Sequence, residues 1–166
     1  MEGKKKWFAL YTRPRFEKKA FDDLVKNGFE AYLPLYKTLR VWSDRKKMVE
    51  APLFSSYCFV RIDPKFYLEP LKAYGVVKYV WFDGKPVPVP EKEIDSVKIL
   101  CGSMLPLEYA SLDLEPGQKI RINHGVLKGL EGEYIEKAGK NKILVRVNSI
   151  SHALMVTIDP AYLSGQ

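Results

Sequence analysis

The chain has little with which to do chemistry. Its 166 residues hold two cysteines and two histidines. Cys58 and Cys101 show no C-x-x-C spacing, and His124 and His152 are scattered, so this set makes no zinc site. So few cysteines exclude a disulfide scaffold and fit a reducing compartment, with Cys58 a buried thiol inside an apolar run. No Gly-Lys-Ser/Thr follows the C-terminal glycines, which excludes a phosphate-cradling P-loop. Neither histidine has an acid partner in sequence, and no nucleophile stands with a base. An enzyme is not expected, and neither is a metal or cofactor. Long hydrophobic runs are missing too, so no stretch reaches the length of a membrane span. Lys4-Lys5-Lys6 leads into only a few apolar residues, unlike a secretory leader. A soluble, cytoplasmic protein is expected. Internal repeats and low-complexity segments are also absent.

What is present is core material and positive charge. Hydrophobic residues make up 46% of the chain, enough for one domain or two small ones. Aromatics at 13% exceed what a core this size needs, so some should serve a surface. The net charge of +7 has two readings, solubility or a polyanionic neighbour whose counterions lysine and arginine release.

Periodicity gives the order of elements. Trp7–Tyr11 reads as a strand, broken at Arg13-Pro14-Arg15. Phe16, Ala20, Phe21, Leu24 and Val25 recur at helical spacing up to the Asn27-Gly28 stop. Phe29–Tyr36 is a second strand. Lys37–Trp42 and Lys46–Glu50 form a hairpin with a basic tip at Ser43-Asp44-Arg45. Strand Tyr57–Ile62, helix Lys65–Ala73 and strand Val76–Phe82 follow. The prolines from Pro86 to Pro90 exclude helix and central strand, having no amide donor. Ile94, Val97 and Leu100 then mark a helix over Glu91–Cys101. The result is an α+β fold, an antiparallel sheet with helices covering one face.

Residues 102–115 read as a linker with Leu105, Leu107 and Tyr109 able to dock. Beyond it lie four to five short runs, among them Gln118–Asn123, Glu133–Lys137, Lys142–Val147 and Ala153–Ile158. Gly125, Gly129 and Gly132 punctuate the turn between the first two. That pattern suits a small closed barrel.

The stretch His124-Gly125-Val126-Leu127-Lys128-Gly129 resembles a KOW motif, which implies an SH3-like barrel. The N-terminal half resembles an NGN domain on four stretches. They are Trp7–Thr12, the basic helix Arg15–Leu24, the segment Pro52–Val60 and the helix opened by Val89-Pro90. In Pro52–Val60, Ser55 stands for the family's usual proline and Ser56 for its glycine. NGN followed by KOW is the architecture of the NusG family, with residues 1–101, 102–115 and 116–166 as NGN domain, linker and KOW domain. The arginine and lysine density resembles the specialised paralogues, RfaH and the UpxY-type regulators of polysaccharide operons, more than a housekeeping NusG.

The resemblance implies a monomeric transcription elongation or antitermination factor that bridges the DNA cleft of RNA polymerase. Phe54, Tyr57, Tyr79, Phe82, Ile94 and Val97 match the family's apolar groove for a coiled coil of the largest polymerase subunit. They also read as ordinary core residues. Arg13, Arg15, Lys18 and Lys19 match its contacts to the non-template DNA strand, and Arg40 and Arg45 of the hairpin, with Lys46 and Lys47, resemble the nucleic-acid-binding element that approaches the opposite side of the cleft; a solvated helix face and a mobile charged loop explain the same residues. Val126, Leu127 and Leu130 either meet a protein partner, by resemblance a small-subunit ribosomal protein, or plug the barrel end. The rival function is a ribosome-associated KOW protein that binds RNA without touching polymerase.

Overall fold

The computed structural model describes residues 4–159 and Ala161. The chain divides into two compact units, Met1–Pro90 and Glu91–Gln166.

The first unit contains β1 (Lys6–Thr12), α1 (Glu17–Lys26), β2 (Glu30–Tyr32), β3 (Leu35–Val41), β4 (Lys46–Pro52), β5 (Tyr57–Ile62) and β6 (Val76–Tyr79). The short pieces β7 (Trp81–Phe82), β8 (Lys85–Pro86) and β9 (Pro88–Val89) complete it. Its sheet runs β2-β5-β1-β6, with β9 also paired to β1. Antiparallel register sets Phe8 opposite Val60 and Leu10 opposite Cys58, so one face carries a continuous apolar patch. Leu24 of α1 packs into that patch together with Phe8, Leu10, Cys58, Val60 and Tyr79. Burial lifts the Cys58 thiol to about 12, leaving it an inert core group whose Sγ lies 3.7 Å from the Tyr32 carbonyl.

Proline decides where this unit departs from periodicity. The expected helix Lys65–Ala73 is two 3-10 turns, Pro64–Phe66 and Glu69–Lys72, because Pro64 and Pro70 cannot donate to a longer ladder. The expected strand Phe29–Tyr36 is cut at Leu33-Pro34 into β2 and β3. The expected strand Val76–Phe82 ends at Tyr79, and Trp81–Phe82 folds back onto β8.

The second unit contains α2 (Glu91–Gly102), β10 (Leu107–Ala110), β11 (Gln118–Arg121), β12 (Glu131–Lys137), β13 (Lys140–Val147) and β14 (His152–Thr157). Its five strands form an antiparallel sheet in the order β10-β14-β13-β12-β11, a small β domain of the KOW kind. Residues 102–115, read as a linker, thus supply an edge strand, and Leu112 and Leu114 pack onto Leu144, Ala153 and Met155. The compact boundary also falls before α2 and not at Cys101. Of the three glycines read as one turn, Gly125 and Gly129 have positive φ, but Gly132 lies within β12. There a Cβ would stand 2.6 Å from the Leu144 carbonyl oxygen, so close strand approach requires glycine.

Candidate nucleic-acid and partner surfaces

Three segments meet at the C-terminal end of β1. The Thr12 amide donates to the Ser56 carbonyl at 2.9 Å, and the Arg13 amide to the Gly75 carbonyl at 2.8 Å. Ser56 has a left-handed backbone, φ 66°, a conformation glycine adopts without strain. Its amide donates to Oε1 of the buried Glu17 at 3.0 Å, which ties α1 to the turn before β5. Arg15 is also left-handed, φ 67°. This sharp entry places Arg13, Arg15, Lys18 and Lys19 on the exposed surface around the start of α1.

The hairpin joins this surface. Lys18 Nζ donates to the Glu50 carbonyl of β4 at 3.0 Å, so the helix cations and the hairpin belong to one side of the first unit. Along β3 and β4, Arg40 lies directly opposite Lys47, and Leu39 opposite Met48. Successive pairs alternate faces, so Arg40 and Lys47 share one face with Thr38 and Val49, while Lys46 and Lys37 lie on the other with Leu39 and Met48. Arg45 stands over the Trp42 ring at 5.0 Å near the tip. All six predicted nucleic-acid residues are exposed.

Aromatic rings are interleaved with these cations. Tyr11 and Tyr57 pair at 5.0 Å between centroids, and Lys78 lies 5.6 Å from the Tyr11 ring. Phe16 and Tyr74 pair at 5.5 Å, with Lys19 Nζ 4.9 Å from the Phe16 ring. Burial, and then hydrogen bonding with Tyr11, pushes the Tyr57 phenol up to about 12 and keeps it protonated. Sequence reasoning missed Tyr11, Phe16, Tyr74 and Lys78 as surface groups. The available signal was Tyr74-Gly75, an aromatic next to a turn glycine.

The predicted polymerase groove is not one exposed surface. Phe54 is 1% exposed, and Tyr79 is 1% exposed with its hydroxyl donating to the Tyr67 carbonyl at 2.5 Å. Ile94 and Val97 form the buried side of α2 in the second unit. Tyr57 is half-buried, and Phe82 is 75% exposed at the β7–β8 turn beside exposed Trp81. Among the three predicted KOW contacts, Leu127 and Leu130 are fully buried and only Val126 is exposed. The backbone explains this: the Ile122 amide donates to the Leu130 carbonyl and the Gly129 amide to the Ile122 carbonyl, folding the loop inward. Leu127 and Leu130 plug the domain and do not present a docking surface.

A cleft of about 660 Å³ in the second unit runs beside Lys92, Lys119, Arg121 and Arg146. Glu93, Glu131 and Glu133 line it as well. Its charges match one another, with Lys92 and Arg121 both within 4 Å of Glu131. Glu93 accepts from the Asn148 amide at 2.6 Å and the Ser149 hydroxyl at 3.0 Å. Among the described residues, no group of three or more His, Cys, Asp or Glu could hold a metal, and no helix is long and apolar enough to cross a membrane.

These features define a two-unit α+β protein whose first unit carries a cationic, aromatic face. The family model described as "Transcription termination factor nusG" matches residues 5–98, more than half of the chain. The chain belongs to the NusG family, and its role lies in transcription, in the regulation of elongation and termination. A solved structure reported as "Domain interaction in Thermotoga maritima NusG" is similar in fold, with a TM-score of 0.51 at 20% identity, covering 96% of each chain.

Proposed function

We propose that this protein is an elongation and antitermination factor that binds RNA polymerase, bridges its DNA cleft and suppresses pausing or termination on particular operons. The observation that carries this reading is the distribution of charge. Residues 1–90 hold 18 Lys and Arg against 10 Asp and Glu, a net +8, whereas residues 91–166 hold 9 against 10, a net −1. A factor that meets DNA through its first unit needs that asymmetry; a KOW protein that held RNA through its second unit would need the reverse.

In this reading the polymerase-binding domain spans 1–101, in keeping with a family match that runs into α2. Tyr57 and Phe82 meet the coiled coil of the largest subunit, since they are the members of the expected groove that remain accessible. Arg13, Arg15, Lys18, Lys19, Arg40 and Arg45 hold the non-template strand. Val126 is the KOW-loop residue available to a small-subunit ribosomal protein.

Retention of the full chain on core polymerase, with pause lifetime in a transcription assay, tests the proposal. Tyr57→Ala and Phe82→Ala should each cost more than about 1 kcal/mol of polymerase affinity, the level that separates a hot spot from a bystander. Phe54→Ala is a poor probe because its cavity would destabilise the fold. Wild-type retention by both variants, or unchanged pausing at saturating protein, defeats the reading. Co-sedimentation with ribosomal subunits and no polymerase retention would establish the rival.

A further inference from the structure

A carboxylate stands on the core-facing stripe of α1. The helix residues that turn inward are Glu17, Ala20 and Leu24. Glu17 is 6% exposed, at a position where an apolar side chain would bury without the cost of desolvating a charge. Its Oε1 accepts from the Ser56 amide at 3.0 Å, 39 residues further along the chain.

Ser56 is the third residue of the turn Phe54–Tyr57, which closes with the Tyr57 amide donating to the Phe54 carbonyl at 3.3 Å. Its φ of 66° is one that a serine keeps only where its surroundings fix it. They fix it on both sides. Glu17 takes the Ser56 amide, and the Thr12 amide donates to the Ser56 carbonyl at 2.9 Å. Tyr57 follows directly, opposite Tyr11 in the β1–β5 register, with the two rings 5.0 Å apart. The direction in which Tyr57 leaves the turn therefore depends on a side chain too buried to meet a partner itself.

We propose that Glu17 is a positioning residue for partner binding: by holding the Ser56 amide it sets the left-handed turn that presents Tyr57 to polymerase. The inference rests on the reading that Tyr57 meets the coiled coil, and it names the group that aims the ring. Reach decides the outcome of a substitution. Glutamine offers an acceptor oxygen at the same distance, aspartate keeps the charge one methylene short, and alanine offers neither. Without an acceptor the Ser56 amide is stranded, and the turn relaxes away from its left-handed conformation.

The test is the affinity of the full chain for core RNA polymerase free of nucleic acid, with urea unfolding of each variant. Glu17→Asp and Glu17→Ala should each weaken binding at least about fivefold, the loss that Tyr57→Ala itself produces. Glu17→Gln should bind like wild type. In a Tyr57→Ala background, Glu17→Ala should cause no further loss, since it acts only through that ring. Glu17→Asp keeps the acid that the first turn of α1 favours, which provides a folded probe where alanine does not fold. A shifted urea midpoint with unchanged affinity of the folded protein overturns the proposal, because the bond would then serve stability alone. Additive losses in the double variant also overturn it. So does wild-type binding by Glu17→Asp with loss in Glu17→Gln, which would assign the effect to charge. Loss in Tyr57→Ala without loss in Glu17→Ala removes the positioning role alone. Wild-type binding by Tyr57→Ala withdraws Tyr57 from the interface, and this inference falls with it.

Discussion

Arg146 donates to three partners in the second unit. Its Nε and Nη2 reach Glu133 at 2.7 and 3.3 Å, while Nη1 and Nη2 reach the carbonyls of Leu112 and Leu114 at 2.6 and 2.7 Å. Glu133 also accepts from the Gly117 amide at 3.1 Å. Both side chains are less than a fifth exposed, so the pair is only weakly screened. The Arg146 hydrogen bond, reinforced by that amide, holds the Glu133 carboxyl below its usual range, and the guanidinium is correspondingly raised. A depressed folded-state carboxyl contributes stability above the unfolded value, near 4.5, and loses it as pH falls through the folded value. Arg146→Met should cost about 3 kcal/mol at neutral pH, since it strands a carboxylate and two carbonyls. It should also flatten the acid loss of stability seen in urea unfolding between neutral pH and about pH 3. An acid limb as steep as wild type would place the titrating group elsewhere. Periodicity had put Arg146 in a strand, which it is, but its partners are distant in sequence and no local pattern reveals them.

At the scale of elements, alternation gave the β3–β4 hairpin and its turn, with each strand running two residues further at its outer end, because a two-stranded ribbon is set by local chemistry. Register was not legible, and register creates the functional feature. Arg40 faces Lys47 across the ribbon, a like-charge pair that costs stability unless an anion lies over it. Lys47→Glu should therefore act in opposite directions. It should raise the hairpin's stability by about 0.5 kcal/mol through a favourable cross-strand pair. The same change should weaken binding to a transcription bubble and reduce the magnitude of its salt slope by about one. Hydrogen exchange along β3 and β4 reads the first effect and a salt titration the second. A stabilised hairpin with unchanged bubble affinity would leave Arg40 and Lys47 as solvated charges. Residues 102–115 were the opposite case, read as a linker with apolar residues able to dock, yet β10 forms because β14 offers an unpaired edge and Leu112 and Leu114 find a core.

Across the whole molecule, the fold was legible because hydrophobic period and turn residues agree in most segments. The cations of the candidate site were legible because lysine and arginine are seldom buried. The apolar contacts were not, since residue type does not tell an exposed leucine from a buried one: Leu127 and Leu130 turn inward while Val126 points out. Charge adds the last constraint. The net +7 is the sum of a first unit at +8 and a second at −1, and in the second Arg121 already lies 3.8 Å from Glu131. If nucleic acid is met only by the first unit, its cations alone set the salt dependence, because only neutralised phosphates release counterions. Arg15→Glu with Lys19→Glu should weaken association of the full chain with a transcription bubble and flatten the salt dependence. Lys119→Glu with Arg121→Glu removes the same formal charge from the second unit and should leave the slope at the wild-type value. Equal flattening by the two double variants would mean that overall charge, and not the surface around α1, draws the protein to DNA. A change confined to the second pair would transfer the nucleic-acid contact to the KOW domain and favour the RNA-binding rival.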